Sequence, residues 1–308
     1  TYCGNPLSDS HLFDVELVSK CVANLKRGKA AGLDNITSEH LIHSHPIISC
    51  VLTRLFNLIL LSGRVPSQFC YSYIVPVPKV TDIRTQAMNE NDFRGIAISS
   101  IVSKLFEHSF LDRFMSYFVT RNNQYGFKAG LGCSHAINAV CQIVNRFVNG
   151  GSTINLCSID LSKAFDKTNH HALFIKLMNR RVPDCLLSVL ENWYSNCWTC
   201  VKWYGVFSEF FKIQFGVRQG SVLSPLLFSV YIDDINRYFP PGTEYFIVLY
   251  ADDILLLSPS VSELQHLLTI CEAELEWLDM RINEKVSLFT YWPSTCHQVC
   301  LHCHPHRP

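Results

Sequence analysis

The sequence predicts an α+β fold, in which helices dominate the first half of the chain and strands mixed with helices the second. In the first half, apolar residues recur at three- and four-residue spacing over long stretches, as in amphipathic helices. After the glycine-containing segment "VNGGST", short β-branched runs such as "INLCSID" alternate with helical patterns. With 308 residues, 48% of them hydrophobic, the chain can bury a large core and form two subdomains.

Four amphipathic helices and one strand are predicted in the first half. The first three helices lie in "VELVSKCVANLKRGKAAG", "IISCVLTRLFNLILLSG" and "IVSKLFEHSFLDRFMSYF". A fourth begins near Ser134, and its apolar face is formed by Ile137, Val140, Val144 and Phe147. The segment "YSYIVPVPK" is rich in β-branched and aromatic residues but contains prolines, which cannot donate to a strand ladder, so we expect an edge strand.

The second half contains four further helices, a hairpin and a pair of strands. Helices are expected around 170–181 and 184–195, and another in "SELQHLLTICEAELEWLDM". The alternation in "WTCVKWYG" and "EFFKIQFG" predicts a hairpin, and "SPLLFSVYIDDINRYF" begins a helix with Pro225 at an early position. The segment "YFIVLYADDILLLS" predicts two strands around Asp252 and Asp253.

Composition and charge limit the class of protein. The hydrophobic content is too high for a wholly disordered chain. Net charge is zero, but residues 1–159 hold 14 basic against 10 acidic side chains, and residues 160–308 hold 12 against 16. This contrast fits a phosphate-binding surface beside a metal-binding one, and it fits solvated surface charge equally well.

The context of the cysteines and the length of the apolar segments indicate where in the cell the protein is expected. Most of the fourteen cysteines stand alone in apolar stretches, where a thiol behaves as a small hydrophobic group. No signal peptide opens the chain, and no run of about 18 apolar residues predicts a membrane span. We therefore expect a reduced intracellular protein of the cytoplasm or nucleus, not secreted and without a membrane partner.

Two adjacent carboxylates, Asp252 and Asp253, interrupt the apolar segment "LYADDILLL". One interpretation is a hairpin turn, because aspartate is common in turns. The other is a metal site, which needs a third carboxylate. Asp160, at the end of the strand "INLCSID", is the candidate, and its alternative role is a helix N-cap. Three such aspartates could hold two Mg²⁺ ions that bridge phosphate oxygens in a phosphoryl displacement.

Two other segments carry polar groups of interest. A second pair, Asp233 and Asp234, lies late in a predicted helix, and we expect it to be solvated. The segment "GVRQGSVLSP" combines glycines with a helix start, and both features suit a phosphate ligand. An ordinary turn into a helix is the alternative for this second segment.

Together these segments resemble the reverse transcriptases of non-LTR (LINE-type) retrotransposons. The resemblance runs from about residue 15 to about residue 289, in the family's order and with family-like spacing. Its motifs are "KRGKAAGLDNI", "YIVPVPK", "NDFRGIAISSIVSKLFEHSFLDRF", "NQYGFKAGLGCSHAI", "CSIDLSKAFDKTNH", "GVRQGSVLSPLLFSVYIDDI" and "LYADDILLLS". The ordered set is far more specific than any single motif.

The resemblance implies a right-hand polymerase fold, with helical fingers, a palm built on an antiparallel sheet, and a thumb that is absent or truncated. Fingers would occupy residues 1–150, the palm 151–290, and a divergent tail 291–308. An endonuclease, which often precedes the fingers in this family, is not expected here.

The resemblance also implies roles for individual residues. Asp160, Asp252 and Asp253 match the catalytic metal ligands, with Asp252 the primary one of the adjacent pair. Phe165, in "DLSKAF", matches an aromatic steric gate that would exclude a ribose 2′-OH. Ala251, being small, would leave room for the primer end.

Four further residues match the nucleotide-binding positions of the family. Lys79 in "PVPK" and Arg94 in "DFRGI" match the basic residues that bind the triphosphate, for which two cations are chemically suited. Gln219 and Gly220 match residues that contact the nucleotide and the template strand. Taken singly, Lys79, Arg94 and Phe165 would be read as surface charges and a core ring.

The chain departs from the family pattern at three points. Gly95 follows Arg94 where many relatives have proline. In "RINEKVSLF", Val286 occupies the position of a lysine often proposed as proton donor to pyrophosphate, and Lys285 lies one residue early. After Phe289 the resemblance fades into a divergent tail. Its Cys and His residues are of the types that bind zinc, but their spacing matches no zinc module: Cys296, Cys300, His302, Cys303, His304 and His306. A frame-shifted end of the reading frame is the alternative.

The resemblance therefore implies an RNA-directed DNA polymerase domain that uses Mg²⁺ (or Mn²⁺), an RNA template, a DNA primer and dNTPs. A catalytically inactive remnant or nucleic-acid-binding module is the rival hypothesis, because a polymerase without a thumb holds primer–template weakly. A template-independent or DNA-templated polymerase would share the same carboxylates.

Overall fold

The computed structural model describes residues 11–79, 88–238, 243–283 and 286–293. They form two compact units, each assembled from two stretches of chain. The first unit takes the described residues of Thr1–Phe118 together with His170–Ser224. The second takes Val119–Asn169 together with the described residues of Pro225–Pro308. Each unit has its own sheet and its own helices.

The helices follow the predicted apolar patterns closely, with short additional helices between them. In chain order they are α1 (Val15–Ala23), α2 (Ser38–Ile42), α3 (Ile47–Ser62), α4 (Ser67–Cys70), α5 (Ile101–Phe114), α6 (Cys133–Asn149), α7 (His170–Asn179), α8 (Asp184–Ser195), α9 (Ser224–Ile232) and α10 (Val261–Trp277). Tight 3₁₀ turns continue α5 over Met115–Phe118 and α9 over Asp233–Tyr238.

The strands are β1 (Tyr71–Pro78), β2 (Phe93–Ser99), β3 (Ile154–Ile159), β4 (Trp198–Trp203), β5 (Val206–Phe207), β6 (Phe211–Lys212), β7 (Phe246–Tyr250), β8 (Asp253–Ser258) and β9 (Ser287–Tyr291). The first unit contains a five-stranded sheet in the order β2-β1-β4-β5, with β6 also paired to β4. The second contains a four-stranded sheet in the order β7-β8-β3-β9, in which every pair is antiparallel.

The expected edge position of β1 is wrong, because β1 pairs with β2 on one side and with β4 on the other. The prolines are accommodated because β4 pairs only with Tyr71–Ile74. Beyond Ile74, the stretch that contains Pro76 and Pro78 pairs with β2 alone, so no ladder hydrogen bond is required from proline on the β4 side. The predicted hairpin is confirmed, since β4 pairs antiparallel with both β5 and β6.

An aromatic core holds the first unit together. Phe106, Phe110 and Phe114, which the sequence places on one stripe of α5, are at most 1% exposed. Phe106 meets Phe56 of α3 edge-on at 5.3 Å and lies 5.9 Å from the Trp193 ring of α8. Each fully buried ring of this kind stabilises the fold by roughly 1.5–3 kcal/mol.

In the second unit, helices cover the two faces of the sheet. Helix α6 packs on β3 and β7, where Ala136, Ile154, Leu156, Val248 and Leu257 form a buried cluster. Helix α10 packs on β8 and β3 through its buried leucines. Cys271 of α10 lies near Cys157 of β3, and Cys157 alternates with Ile154 and Leu156 along the strand, so α10 covers the face opposite to α6. Of the predicted α6 stripe, Val140, Val144 and Phe147 join this packing, but Ile137 is 58% exposed.

Two properties of the described residues bear on the sequence expectations. No helix among them is both long enough and apolar enough to cross a bilayer. None of the ten cysteines within the described ranges is part of a disulfide.

Candidate active site

The adjacent aspartates lie on a two-residue hairpin turn in the second unit. Strands β7 and β8 pair so that Tyr250 faces Asp253, which leaves Ala251 and Asp252 as the turn residues. Ala251 has φ of 56°, in the region that glycine favours. The turn interpretation is therefore correct for Asp252, while Asp253 is the first residue of β8. A hairpin turn and a carboxylate-bearing site are one and the same structure here.

Asp160 approaches this hairpin by strand pairing. The register of β3 and β8 sets Ile159 opposite Ile254. Extended by one residue, this register sets Asp160 opposite Asp253, where side chains on one face stand about 4.5–5.5 Å apart at Cβ. Asp160 does not cap a helix, because the next helical turn, Ala164–Lys167, begins after Lys163. The structure thus brings Asp160 and Asp253 to the same edge of the sheet.

The pKa of Asp253 reflects both its burial and its carboxylate neighbours. Partial burial raises the pKa of Asp253 above its usual value. The neighbouring Asp252 and Asp160 carboxylates raise that pKa further, because a second negative charge is unfavourable beside the first. A divalent cation bound between them would remove this repulsion.

The residues fit a divalent metal in donor chemistry and in backbone placement, since three carboxylates at one sheet edge supply the oxygen ligands that Mg²⁺ prefers. Their oxygens do not converge in the present side-chain arrangement. Within the described ranges, no three Asp, Glu, His or Cys side chains are close enough to hold a metal ion. Joint coordination requires the carboxylates to rotate about their side-chain torsions, which the exposed positions of Asp160 and Asp253 permit.

Asn283 contacts Asp160 directly and was missed by the sequence reasoning. Its side-chain amide donates to Asp160 Oδ2 at 2.9 Å, and its backbone N–H donates to the Asp160 carbonyl at 2.8 Å. Leu161 and Ile282 form an antiparallel bridge beside this contact. In the segment "RINEKVSLF" the asparagine, a good side-chain donor, is the sequence signal for this contact. Lys285 lies outside the described residues.

Phe165 lies in the short helical turn that follows Asp160 in the second unit. Its ring stacks on Phe228 of α9, with centroids 4.9 Å apart and planes inclined by 20°. Phe127 meets the same ring edge-on at 5.9 Å. Phe165 is half-buried, so two aromatic neighbours fix its orientation while part of the ring stays accessible.

Lys79 and Arg94 lie at one end of the β1–β2 ladder in the first unit. Arg94 is exposed on β2 opposite Val77, and Lys79 immediately follows β1. The Lys79 backbone N–H donates to the Asp92 carbonyl at 2.8 Å, and its ammonium group donates to the Asn91 carbonyl at 2.7 Å. The ladder therefore brings both cations to the same sheet end, where they could bind a polyanion.

Gln219 and Gly220 are held against β2 by main-chain contact. The Ala97 N–H donates to the Gln219 carbonyl at 2.6 Å. Gly220 has φ of 111°, and a Cβ there would lie 2.5 Å from the Ala97 oxygen, so a side chain is excluded. Ala97 is three residues from Arg94, which corresponds to roughly 10 Å along a strand. In the first unit, the four predicted nucleotide-binding residues are thus gathered around β1 and β2.

Glu107 of α5 fixes the loop that follows Gly220 and was also missed. It is fully buried, and its Oε2 accepts from Ser221 Oγ at 2.6 Å, from Val222 N at 2.5 Å and from Leu223 N at 2.9 Å. In sequence, Glu107 lies beside the apolar stripe of an amphipathic helix, where a surface position is the usual interpretation.

The second aspartate pair has a structural role. The prediction that Asp233 is solvated is wrong. Asp233 is 5% exposed, and its Oδ1 accepts a hydrogen bond from the backbone N–H of Arg121 at 3.0 Å. Asp234 instead forms an ion pair with Arg237 at 3.0 Å. The Cys and His residues of the tail lie outside the described residues.

Comparisons with known proteins identify the family. Residues 77–301 match the family model described as reverse transcriptase (RNA-dependent DNA polymerase). The chain is 24% identical over 303 residues to the Pol polyprotein of the type-1 retrotransposable element R2 of Nasonia vitripennis, covering 96% of this chain and 27% of that protein. It is 29% identical over 257 residues to the RNA-directed DNA polymerase of the mobile element jockey of Drosophila funebris, covering 80% and 27%. The chain thus spans about a quarter of the length of these relatives.

Solved structures agree at the level of the fold. The apo telomerase of Candida tropicalis, truncated from the C-terminal domain, matches with a TM-score of 0.53 and 15% identity, over 83% of this chain and 59% of that one. With an α+β fold, strand-borne carboxylates and a family model that covers most of its length, the chain belongs to the reverse transcriptase family, and it is similar to proteins of the R2 and jockey elements.

Proposed function

We propose that this chain carries the RNA-directed DNA polymerase activity of a non-LTR retrotransposon. A DNA primer 3′-OH would attack the α-phosphate of a dNTP on an RNA template, and pyrophosphate would leave. The observation that carries the proposal is the antiparallel register of β3 with β8, extended to Asp160 and Asp253, next to the turn that presents Asp252. In this proposal residues 1–150 form the fingers of the polymerase and residues 151–290 form its palm.

We infer that Asp160, Asp252 and Asp253 hold two Mg²⁺ ions, for which Mn²⁺ can substitute. When bound, the two ions neutralise phosphate charge and stabilise both the attacking and the leaving oxygen. Asn283 donates to Asp160 Oδ2, which leaves Oδ1 of the same carboxylate available to an ion. In this proposal Lys79 and Arg94 bind the triphosphate, while Gln219 and Gly220 contact the nucleotide and the template.

Primer extension tests the proposal directly. The full chain is incubated with poly(rA)/oligo(dT), dTTP and Mg²⁺, and in parallel with poly(dA)/oligo(dT). We expect Mg²⁺-dependent incorporation that is greater on the RNA template. No incorporation above background on either template would support the inactive module, and a preference for poly(dA) would indicate a DNA-templated polymerase.

Phe165→Ala should relax sugar discrimination. The ring is fixed by Phe228 and Phe127, so its removal opens space where a 2′-OH would otherwise clash. We expect incorporation of UTP relative to dTTP, measured as a ratio of kcat/KM, to rise at least about 10-fold.

Phe147→Ala is the matched control for Phe165→Ala. Phe147 is an aromatic residue of α6 in the same unit that packs on Phe246 at 6.1 Å. Its replacement should leave the UTP to dTTP ratio unchanged. An unchanged ratio in both variants would remove the gate role of Phe165.

A further inference from the structure

The motif "NQYGFKAG" has no role in the proposed chemistry so far, yet its backbone runs beside the aspartate hairpin. The Tyr125 N–H donates to the Leu249 carbonyl at 2.8 Å, and the Leu249 N–H donates to the Asn123 carbonyl at 2.9 Å. Gln124 and Leu249 form a parallel bridge. The segment 123–125 therefore runs along the outer side of β7 through one bridge and two backbone hydrogen bonds, in the same unit as the carboxylates.

The contact is closest at the turn itself. A Cβ on Gly126 would lie 2.2 Å from the backbone nitrogen of Ala251 and 2.8 Å from its Cα. Real Cβ atoms do not approach backbone this closely, so only glycine leaves room for the turn. The obstacle is backbone, which cannot swing aside as a flexible side chain can.

Two features prevent either partner from moving away. Gln124 is fully buried, and its Oε1 accepts the Gly126 N–H at 2.8 Å, which fixes the segment locally. On the other side, Tyr250 and Asp253 are paired across the hairpin, so Ala251 and Asp252 can shift only if that pair is disturbed. A displacement of Ala251 is therefore transmitted to Asp252 and Asp253.

We propose that Gly126 is a positioning residue for the carboxylates, acting by main-chain contact with the Ala251–Asp252 turn. This inference rests on the proposed metal-assisted polymerisation. Gly126 itself touches neither substrate nor metal; it sets the position of the turn that presents Asp252.

Gly126→Ala is compared with Gly132→Ala, a control in the same loop where an added Cβ meets nothing within 4 Å. The full chain of each variant is assayed for dTTP incorporation and for Mn²⁺ binding by water-proton relaxation. We expect kcat to fall about 100-fold in Gly126→Ala, the size of effect that a misplacement near 1 Å produces. Mn²⁺ affinity should fall about 10-fold, and the KM for dTTP should change little. Gly132→Ala should match the wild type in all three.

A second variant covers the case in which Gly126→Ala is unfolded, as judged by circular dichroism at the assay temperature. Gln124→Ala removes the hydrogen bond to the Gly126 N–H without adding an atom to the contact. Gln124→Ala should also lower Mn²⁺ affinity and kcat, but by less than Gly126→Ala does. The inference is overturned if a folded Gly126→Ala, or failing that Gln124→Ala, keeps wild-type kcat and Mn²⁺ affinity.

Failure of the proposed function would look different. A wild-type chain that binds Mn²⁺ without extending a primer contradicts the polymerase, while weaker Mn²⁺ binding in Gly126→Ala would still support the positioning role. A wild-type chain that binds no Mn²⁺ contradicts both.

Discussion

Asp252→Asn should reduce primer extension about 1000-fold, the largest effect expected of any single substitution in this chain. Asparagine keeps the size of the side chain and the turn around it, so the loss reports the charge of the carboxylate. Metal stabilisation of a phosphoryl transition state amounts to several kcal/mol, and about 4 kcal/mol corresponds to about a 1000-fold change in rate. The measurement is kcat on poly(rA)/oligo(dT) with saturating dTTP.

Asp234→Asn is the matched control, because it changes an aspartate of the second Asp-Asp pair. Asp234 forms an ion pair with Arg237, three residues further along the chain. Activity should stay close to that of the wild type. Equal activity of wild type and Asp252→Asn would contradict the catalytic assignment of the hairpin.

Glu107→Ala should lower the free energy of unfolding of the first unit by about 3–5 kcal/mol. The substitution removes a buried acceptor from the Ser221 hydroxyl and from the backbone N–H groups of Val222 and Leu223. The Leu223 N–H is buried, and a buried donor without a partner costs about 1–3 kcal/mol; the partly buried donors of Ser221 and Val222 add to this cost, and so does the cavity that the lost side chain leaves.

Hydrogen–deuterium exchange resolved by peptide suits this measurement, because the chain has two units and global unfolding need not be two-state. Peptides from α5 and from the loop around Gln219 should exchange faster in Glu107→Ala. Glu191→Ala, which changes an exposed glutamate on α8 of the same unit, should stay within about 0.5 kcal/mol of wild type. Unchanged exchange in Glu107→Ala would show that the loop is held by other contacts.

Much of the fold could be predicted because local periodicity determined it. The stripe of Phe106, Phe110 and Phe114 on α5 is buried as its spacing requires, and the strands on either side of Asp252 form the expected hairpin. The placement of β1 could not be predicted from its prolines. Proline is excluded only where its missing N–H would have to donate to a neighbouring strand, and the sequence does not show which part of β1 has a neighbour on that side. Only the first half of β1 has neighbours on both sides.

Some residues of the candidate site could be predicted from local sequence, and others could not. Asp252 and Asp253 stand out in sequence because they interrupt an apolar run, and Asp160 because it ends one. Asn283 and Glu107 act on the site through contacts over 123 and 114–116 residues of separation, respectively. No local pattern reports such contacts. Asp233 was misjudged for the same reason, because its partner, the Arg121 N–H, lies 112 residues away.

The sheet order of the second unit also bears on how the chain acquires its site during synthesis. Strand β3 is made first of the four, and both of its neighbours, β8 and β9, follow it by more than 90 residues. Asp160 therefore waits for about 90 further residues before Asp253 emerges, roughly 5–20 s at ribosomal speed. During that interval the apolar segment of β3 has neither of its two strand partners, and an unpaired apolar edge favours aggregation. A nascent chain cut before β8 would carry one aspartate of the three and no assembled site.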